Sequence, residues 1–525
     1  MTEPESINSK RLIAINSAVK YASLVVINVL TFFLTPYLIR TLGPTLLGLK
    51  TLAFQALQFV GLAHTAMGIS YERYAKLNYA RGDFDEMNSN LSAGFLVSAV
   101  SAFLFATGSA LLAWHADTLF GLTPDLLPVA RRVFILIGFT TAFLILTGVW
   151  ETPCFVTERF YLLELGNLVC SIVAAVAVVL VFEYGRPSIV AWVILSNGSL
   201  VVWRLVFIMP WARRILPAFR LQMSLIRSSG QIRELMAFGG LNFLGGIGYL
   251  LYYASDSIII SNLQELGPDQ IVFYNVAQRW DPQIRMLVMA FVGTTLPLMT
   301  SLVSLRQTER LHSVFLRGTR YSLLIGLLPA GLLIGLAEPF LRHWVGADFA
   351  RVSAPVMQLL MVQFMLCLPE RMAYNVNIAY GRMGGPVAMA LAGGLLNIVL
   401  SIGLVKSFGL GLTGVALGSA AALLMVSGYV VFYALRLMQL SPLQWLRQGC
   451  ARAVLCLVPL IVVLLLLRGW WYPANLLAVF VQFGLASLAY GAGVWGWGLT
   501  ASERSQLLNL MGRLAGRMRG GTAHG

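Results

Sequence analysis

Apolar runs of about twenty residues alternate with short polar loops almost from one end of the chain to the other. A run of that length, at ~1.5 Å rise per helical residue, matches the ~30 Å hydrocarbon core of a bilayer. The pattern predicts membrane-spanning helices at about 16–38, 45–69, 91–113, 133–152, 162–182, 189–209, 237–262, 286–303, 319–337, 353–369, 386–406, 410–435, 451–468 and 473–499. The expected class is therefore an all-α polytopic membrane protein with about fourteen transmembrane helices. Almost nothing is left outside the membrane, which favours moving a solute across it.

Lys and Arg concentrate on alternate loops: Lys10, Arg11 and Lys20, the 71–90 loop, the 210–236 loop, the 304–320 loop and the tail. The positive-inside bias makes that face cytoplasmic and places both termini inside, which an even number of spans satisfies. Composition adds that 58% of residues are apolar and only 11% charged, against ~25% charged in soluble domains. The formal charge of +15 would suggest nucleic acid in a soluble chain. With the basic residues in membrane-flanking loops, anionic lipid explains it and no nucleic-acid partner is expected. The five cysteines lie in or beside apolar runs without metal-ligand spacing and read as small hydrophobes. The first run is too long for the apolar core of a cleavable signal.

The halves repeat. A shift of 224 residues lays Leu42-Gly43-Pro44 on Leu266-Gly267-Pro268, Ala53 on Ala277 and Gly185 on Gly409. One offset across so much chain predicts two six-helix lobes in parallel pseudo-repeat, 1–225 and 226–448. Two added helices at 449–500 and a basic cytoplasmic tail at 501–525 complete the domain plan. Duplicated lobes with substrate between them near the midplane are a recurring transporter arrangement and suit alternating access.

The stretch from Asp256 through Gly267-Pro268 to Phe273-Tyr274-Asn275-Val276-Ala277 resembles the seventh helix and following loop of polysaccharide exporters. These belong to the multidrug/oligosaccharidyl-lipid/polysaccharide (MOP) exporter superfamily. Asn375-Val-Asn377 to Gly381-Arg382, Asn397, Phe408-Gly409 and Gly414 to Gly418 are similar to its eleventh and twelfth helices. Pro36, Arg40, Leu42-Gly43-Pro44 and Gly48 are similar to its first hairpin. The resemblance implies a bacterial inner-membrane flippase for a lipid-linked oligosaccharide of the O-antigen (lipopolysaccharide), capsule or exopolysaccharide type, working beside other polysaccharide biosynthesis proteins. It also implies twelve to fourteen helices.

Ionisable and amide side chains at membrane depth mark candidate sites, because they are costly there unless they face a cavity or partner. In the first span Ser17, Lys20, Asn28, Thr31 and Thr35 share an arc of about 80°, either as a cavity wall for sugar or as helix–helix hydrogen-bonding groups. In the second, Lys50, Phe54, Gly61 and His64 share a face with Gln58 at its margin. Lys50 reads as a diphosphate ligand or as a snorkelling side chain. Arg204 carries the same ambiguity, and with Arg40, Arg279 and Arg285 completes a candidate basic cavity for a polyprenyl-diphosphate head. In the seventh, Asn242, Tyr249, Tyr253 and Asp256 align. Asp256 reads either as a coupling site for H⁺ or Na⁺ or as a structural partner of Lys50 or Arg279. Glu370-Arg371 reads as a local ion pair, and Pro153 as a hinge.

A membrane polymerase or ligase would need a sizeable outer loop carrying acid–base groups, and none is present. GxSxG, HExxH and Walker motifs are also missing, so no enzyme and no cofactor is expected. A cation-coupled multidrug antiporter of the same superfamily is the stronger rival. The scarcity of acids in the spans favours an anionic cargo over an organic cation.

Overall fold

The computed structural model describes residues 3–221, 246–248, 250–506 and 508–509. Every regular element among them is helical. Twelve helices among the described residues are long and apolar enough to cross a membrane. The expected fourteen spans map onto these with two exceptions. The first two spans lie on one continuous element, Glu3–Arg81, and the first part of the 237–262 span lies outside the described residues. Also outside them are Asn242 and Tyr249, residues 222–236 of the basic loop, and Arg513, Arg517 and Arg519 of the tail.

Glu3–Arg81 is two helical arms joined at Gly43, whose φ of 79° only glycine adopts without strain. Pro44 follows, and its fixed φ suits the first turn of the second arm. Five residues on, Gly48 meets the backbone of Pro268: an added Cβ would stand 1.8 Å from that carbonyl oxygen. The arm that starts at the Leu-Gly-Pro motif thus packs against the counterpart motif 224 residues later.

The 71–90 segment, expected as a loop, is mostly helix. Tyr71, Ala75 and Asn78 recur at helical spacing and are buried, so the second arm continues to Arg81. Gly82 turns the chain at positive φ, and the Asp83 carboxylate accepts from the Glu86 amide at 2.9 Å to cap Phe84–Trp114. Leu127–Leu146 ends short of the expected boundary at 152. A 3₁₀ turn, Gly148–Glu151, follows, and Pro153 sits in the first turn of Thr152–Val156, starting a helix rather than hinging one.

The chain packs as two compact units, Met1–Phe273 with Ala390–Val415, and Tyr274–Met389 with Ala416–Gly525. This packing boundary differs from the expected lobe boundaries at 225 and 448. In the second unit Thr308–Gly335 is the central helix. Its Gly331 and Gly335 lie against Leu460 and Leu464 of the C-terminal helices, and its Leu324 carbonyl accepts from the Tyr490 hydroxyl at 3.0 Å. Arg320, on the same helix, forms a buried ion pair with Glu503 beyond the last span. The five cysteines are buried and unbridged.

Candidate functional site

The first unit holds most of the expected site residues. Lys50 follows Leu47, Gly48 and Leu49, all buried, about two turns beyond the Gly43 break. Its ammonium lies 3.4 Å from the centroid of the Trp192 ring. Its charge is held by an aromatic face with no carboxylate paired to it among the described residues, a contact worth ~0.5–2 kcal/mol according to desolvation. Trp192 also lines a cavity of about 170 Å³ with Thr31, Ser171, Ser196 and Ser199. Three of those hydroxyls donate along their own helices: Thr31 to Ile27 at 2.6 Å, Ser171 to Asn167 at 2.7 Å and Ser199 to Ser196 at 2.8 Å. Their protons are spent and their lone pairs remain, so the cavity offers acceptors to a ligand rich in hydroxyl donors.

A second cavity in the same unit, about 510 Å³, is lined by Phe54, Gln58, Gly61 and His64 together with Phe105 and Thr141. The face read from the second span therefore borders a cavity, with Lys50 outside its lining. His64 Nδ1 is buried there without a hydrogen-bond partner. The volume falls within the ~300–1,000 Å³ of small-molecule sites, and the lining is mainly apolar.

The other expected cations have different surroundings. Arg204 opens a π-helical turn, Arg204–Ile208, that redirects its side chain. One guanidinium nitrogen donates to the Thr147 carbonyl at 2.9 Å and another pairs with Glu151. Arg40 is exposed. Asn28 donates to Leu24 at 2.8 Å and Thr35 to Thr31 at 2.6 Å, both within their own helix. In the second unit Arg285 grips Asp281 through both carboxylate oxygens at 2.6 and 2.9 Å and lies over Phe364, while Arg279 is half-buried just ahead of Trp280–Ser304. Glu370 is buried with Oε2 lacking a hydrogen bond, and the expected pair with Arg371 is not among the ion pairs of the described residues.

Asp256 is 1% exposed, and its carboxylate accepts from the Asn397 amide at 3.2 Å. Asn397 donates also to the Leu251 carbonyl at 3.2 Å and accepts from Ser401 at 3.0 Å, and Ser401 reaches the Val415 carbonyl at 3.2 Å. Asn397 and Ser401 are fully buried one turn apart. Lys50, one of the two expected ion partners, is engaged by Trp192 instead. Sequence reasoning named neither Trp192 nor the Asn397–Ser401 pair as site residues. The signal for the pair was present as two polar groups at i, i+4 in a glycine-rich apolar span.

No family model matches the chain. It is 26% identical over 407 residues to EpsK, an uncharacterised membrane protein of Bacillus subtilis (strain 168), with 75% of this chain and 77% of EpsK covered. Among solved structures it is similar to the lipid II flippase MurJ in an inward closed conformation. That likeness has a TM-score of 0.69 at 13% identity and covers 91% of this chain and 97% of that one. An inward-facing MATE multidrug resistance transporter of the MOP superfamily gives a TM-score of 0.68 at 13% identity, covering 78% and 94%. The chain shares the fold of these two solved proteins. These neighbours are transporters, and the chain is a multi-pass membrane protein of their architecture.

Proposed function

We propose that the chain is a transporter that flips a polyprenyl-diphosphate-linked oligosaccharide across a bacterial inner membrane by alternating access. The observation that carries this reading is the extent of the likeness to a lipid flippase. MurJ covers 91% of this chain, against 78% for the MATE transporter. EpsK, of related sequence, is likewise a membrane protein.

In this reading Lys50 meets the diphosphate. An ammonium on an aromatic face keeps its donors available, and a phosphate oxygen gives it charge-assisted hydrogen bonds. The hydroxyl-lined cavity beside Trp192 accepts from sugar hydroxyls, with Thr31 and Asn28 on the same helix. The prenyl chain stays in lipid. Arg40, exposed on the first arm, adds a further positive charge in the same unit. Asp256, held by Asn397, which Ser401 holds in turn, is the candidate for coupling to H⁺ or Na⁺.

The test is reconstitution in proteoliposomes with a labelled polyprenyl-diphosphate oligosaccharide, reading its appearance on the opposite leaflet. Translocation by the wild type is the expected result. No translocation, together with uptake of an organic cation driven by a pH gradient, would replace this reading with multidrug antiport.

A further inference from the structure

The larger cavity of the first unit, about 510 Å³, differs in chemistry from the one beside Trp192. No Asp, Glu, Lys or Arg lines it among the described residues. Two phenyl rings border it. Phe105, on Phe84–Trp114, is buried, and the absence of a side chain at Gly61 lets its ring close on the second arm: an added Cβ there would stand 3.0 Å from the ring edge. Phe54 is 55% exposed, so it presents an open surface. Leucines and isoleucines form most of the remaining wall.

Three polar side chains interrupt that wall: Gln58 and His64 on the second arm, and Thr141 on Leu127–Leu146. His64 Nδ1 is buried without a hydrogen-bond partner. An amide and an imidazole at membrane depth are costly unless a ligand or neighbour takes up their hydrogen bonds. A hydrocarbon chain would leave these groups stranded. An organic cation would meet no carboxylate in the lining, and an acidic sugar would meet no cation. The ligand that fits is uncharged, with apolar faces and a few hydroxyl or amide groups. A pyranose carrying an acetamido group or a C6 methyl has this character. Its C–H face rests on the negative face of a phenyl ring, its methyl group packs on the aliphatic wall, and a hydroxyl or amide N–H donates to His64 Nδ1. Phe54 and His64 stand 4 and 14 residues beyond Lys50 on one helical arm, roughly 6 and 21 Å along its axis. A diphosphate held at Lys50 would leave its sugars to reach along that arm.

We propose that this cavity is a subsite for an uncharged, amphipathic sugar, an acetamido or 6-deoxy pyranose, with Phe54 as its stacking surface, Phe105 as its back wall, and His64, Gln58 and Thr141 as its hydrogen-bonding groups. The cavity thereby selects cargo: it accepts sugars with an acetyl or C6 methyl group and excludes uronic acids. That the sugar arrives joined to a lipid carrier rests on the function proposed above; that the cavity binds it does not.

Saturation-transfer NMR on the full chain in lipid nanodiscs reads binding without any transport step, with methyl N-acetylglucosaminide, methyl fucoside and methyl glucuronide as probes. The first two are expected to receive saturation, most strongly at the acetyl and C6 methyl protons, and the glucuronide to receive none. His64→Phe removes the ring nitrogen and is expected to weaken binding of the first two by about 3- to 10-fold, the loss of one hydrogen bond. Gly61→Leu crowds Phe105 and is expected to abolish it. Thr141→Val changes a different helix at nearly constant size, so it tests the site even if Gly61→Leu does not fold, and is expected to weaken binding similarly. No transfer to the acetamido and 6-deoxy probes, equal transfer to the glucuronide, or binding unchanged in both His64→Phe and Thr141→Val would overturn the proposal. Binding as expected, with no translocation of a lipid-linked oligosaccharide in vesicles, would sink the transport reading alone.

Discussion

Lys50 and Arg204 stand on apolar helices of the same unit and look alike in the sequence: each is a lone cation at membrane depth. Their environments are opposite. Arg204 has its counter-charge in Glu151 and its second arm on a backbone carbonyl, which leaves it structural work. Lys50 rests on an aromatic ring with no carboxylate paired to it among the described residues. A quadrupole offsets part of the cost of burying a charge without cancelling it, so Lys50 retains attraction for an incoming anion where Arg204 does not. In the second unit Arg285, held by Asp281, repeats the Arg204 pattern. What marks a site is the missing counter-charge more than the cation itself.

The largest expected effect that sharpens this contrast is on transport. Lys50→Ala is expected to lower translocation by about 10-fold or more, the loss of a charge-assisted contact of ~1.5–3 kcal/mol, with little change in thermal midpoint. Arg204→Ala is expected to do the reverse. It costs roughly 2–4 kcal/mol of stability, scaled down from a fully buried pair because Glu151 is a third exposed, as read by thermal unfolding in detergent. Arg204→Lys restores only part of this, since a lysine cannot span both acceptors in the fork geometry. Trp192→Glu breaks the comparison by giving Lys50 a carboxylate. It is expected to reduce translocation while leaving both charges in place, and full activity in that variant would show that the free charge of Lys50 is not what matters.

Smaller effects follow at the acids. Asp256→Asn keeps the shape of the Asn397 contact and is expected to abolish the dependence of translocation on an ion gradient; an unchanged dependence would remove Asp256 from coupling. At Glu72 the folded-state value of about 7 lies above the unfolded 4.5. The folded state therefore holds more protons in that window, and stability falls as pH rises from about 4.5 to about 7 and levels off above. Glu72→Gln should flatten that part of the thermal-midpoint profile.

The helical membrane architecture was legible because a twenty-residue apolar run has few alternatives. The Gly43 break was legible through Leu-Gly-Pro, since positive φ and a following proline leave a distinct signature. The face of Phe54, Gln58, Gly61 and His64 was legible from helical periodicity, and it borders a cavity. What pairs with what was not. Arg204 meets Glu151 across 53 residues, and Lys50 meets Trp192 across a greater separation, through tertiary packing that no local pattern encodes. The 71–90 segment misled for a related reason. Its charges suggest a loop, while Tyr71, Ala75 and Asn78 supply a buried face that keeps it helical.

The measurement that tests the central claim most directly is translocation of a labelled polyprenyl-diphosphate oligosaccharide in vesicles, normalised to folded protein, for wild type, Lys50→Ala and Arg204→Ala. The account predicts flipping by the wild type, loss of flipping per folded molecule in Lys50→Ala, and near-normal flipping per folded molecule in Arg204→Ala despite its lower stability. Equal rates for wild type and Lys50→Ala, or no flipping by any of the three, would contradict it.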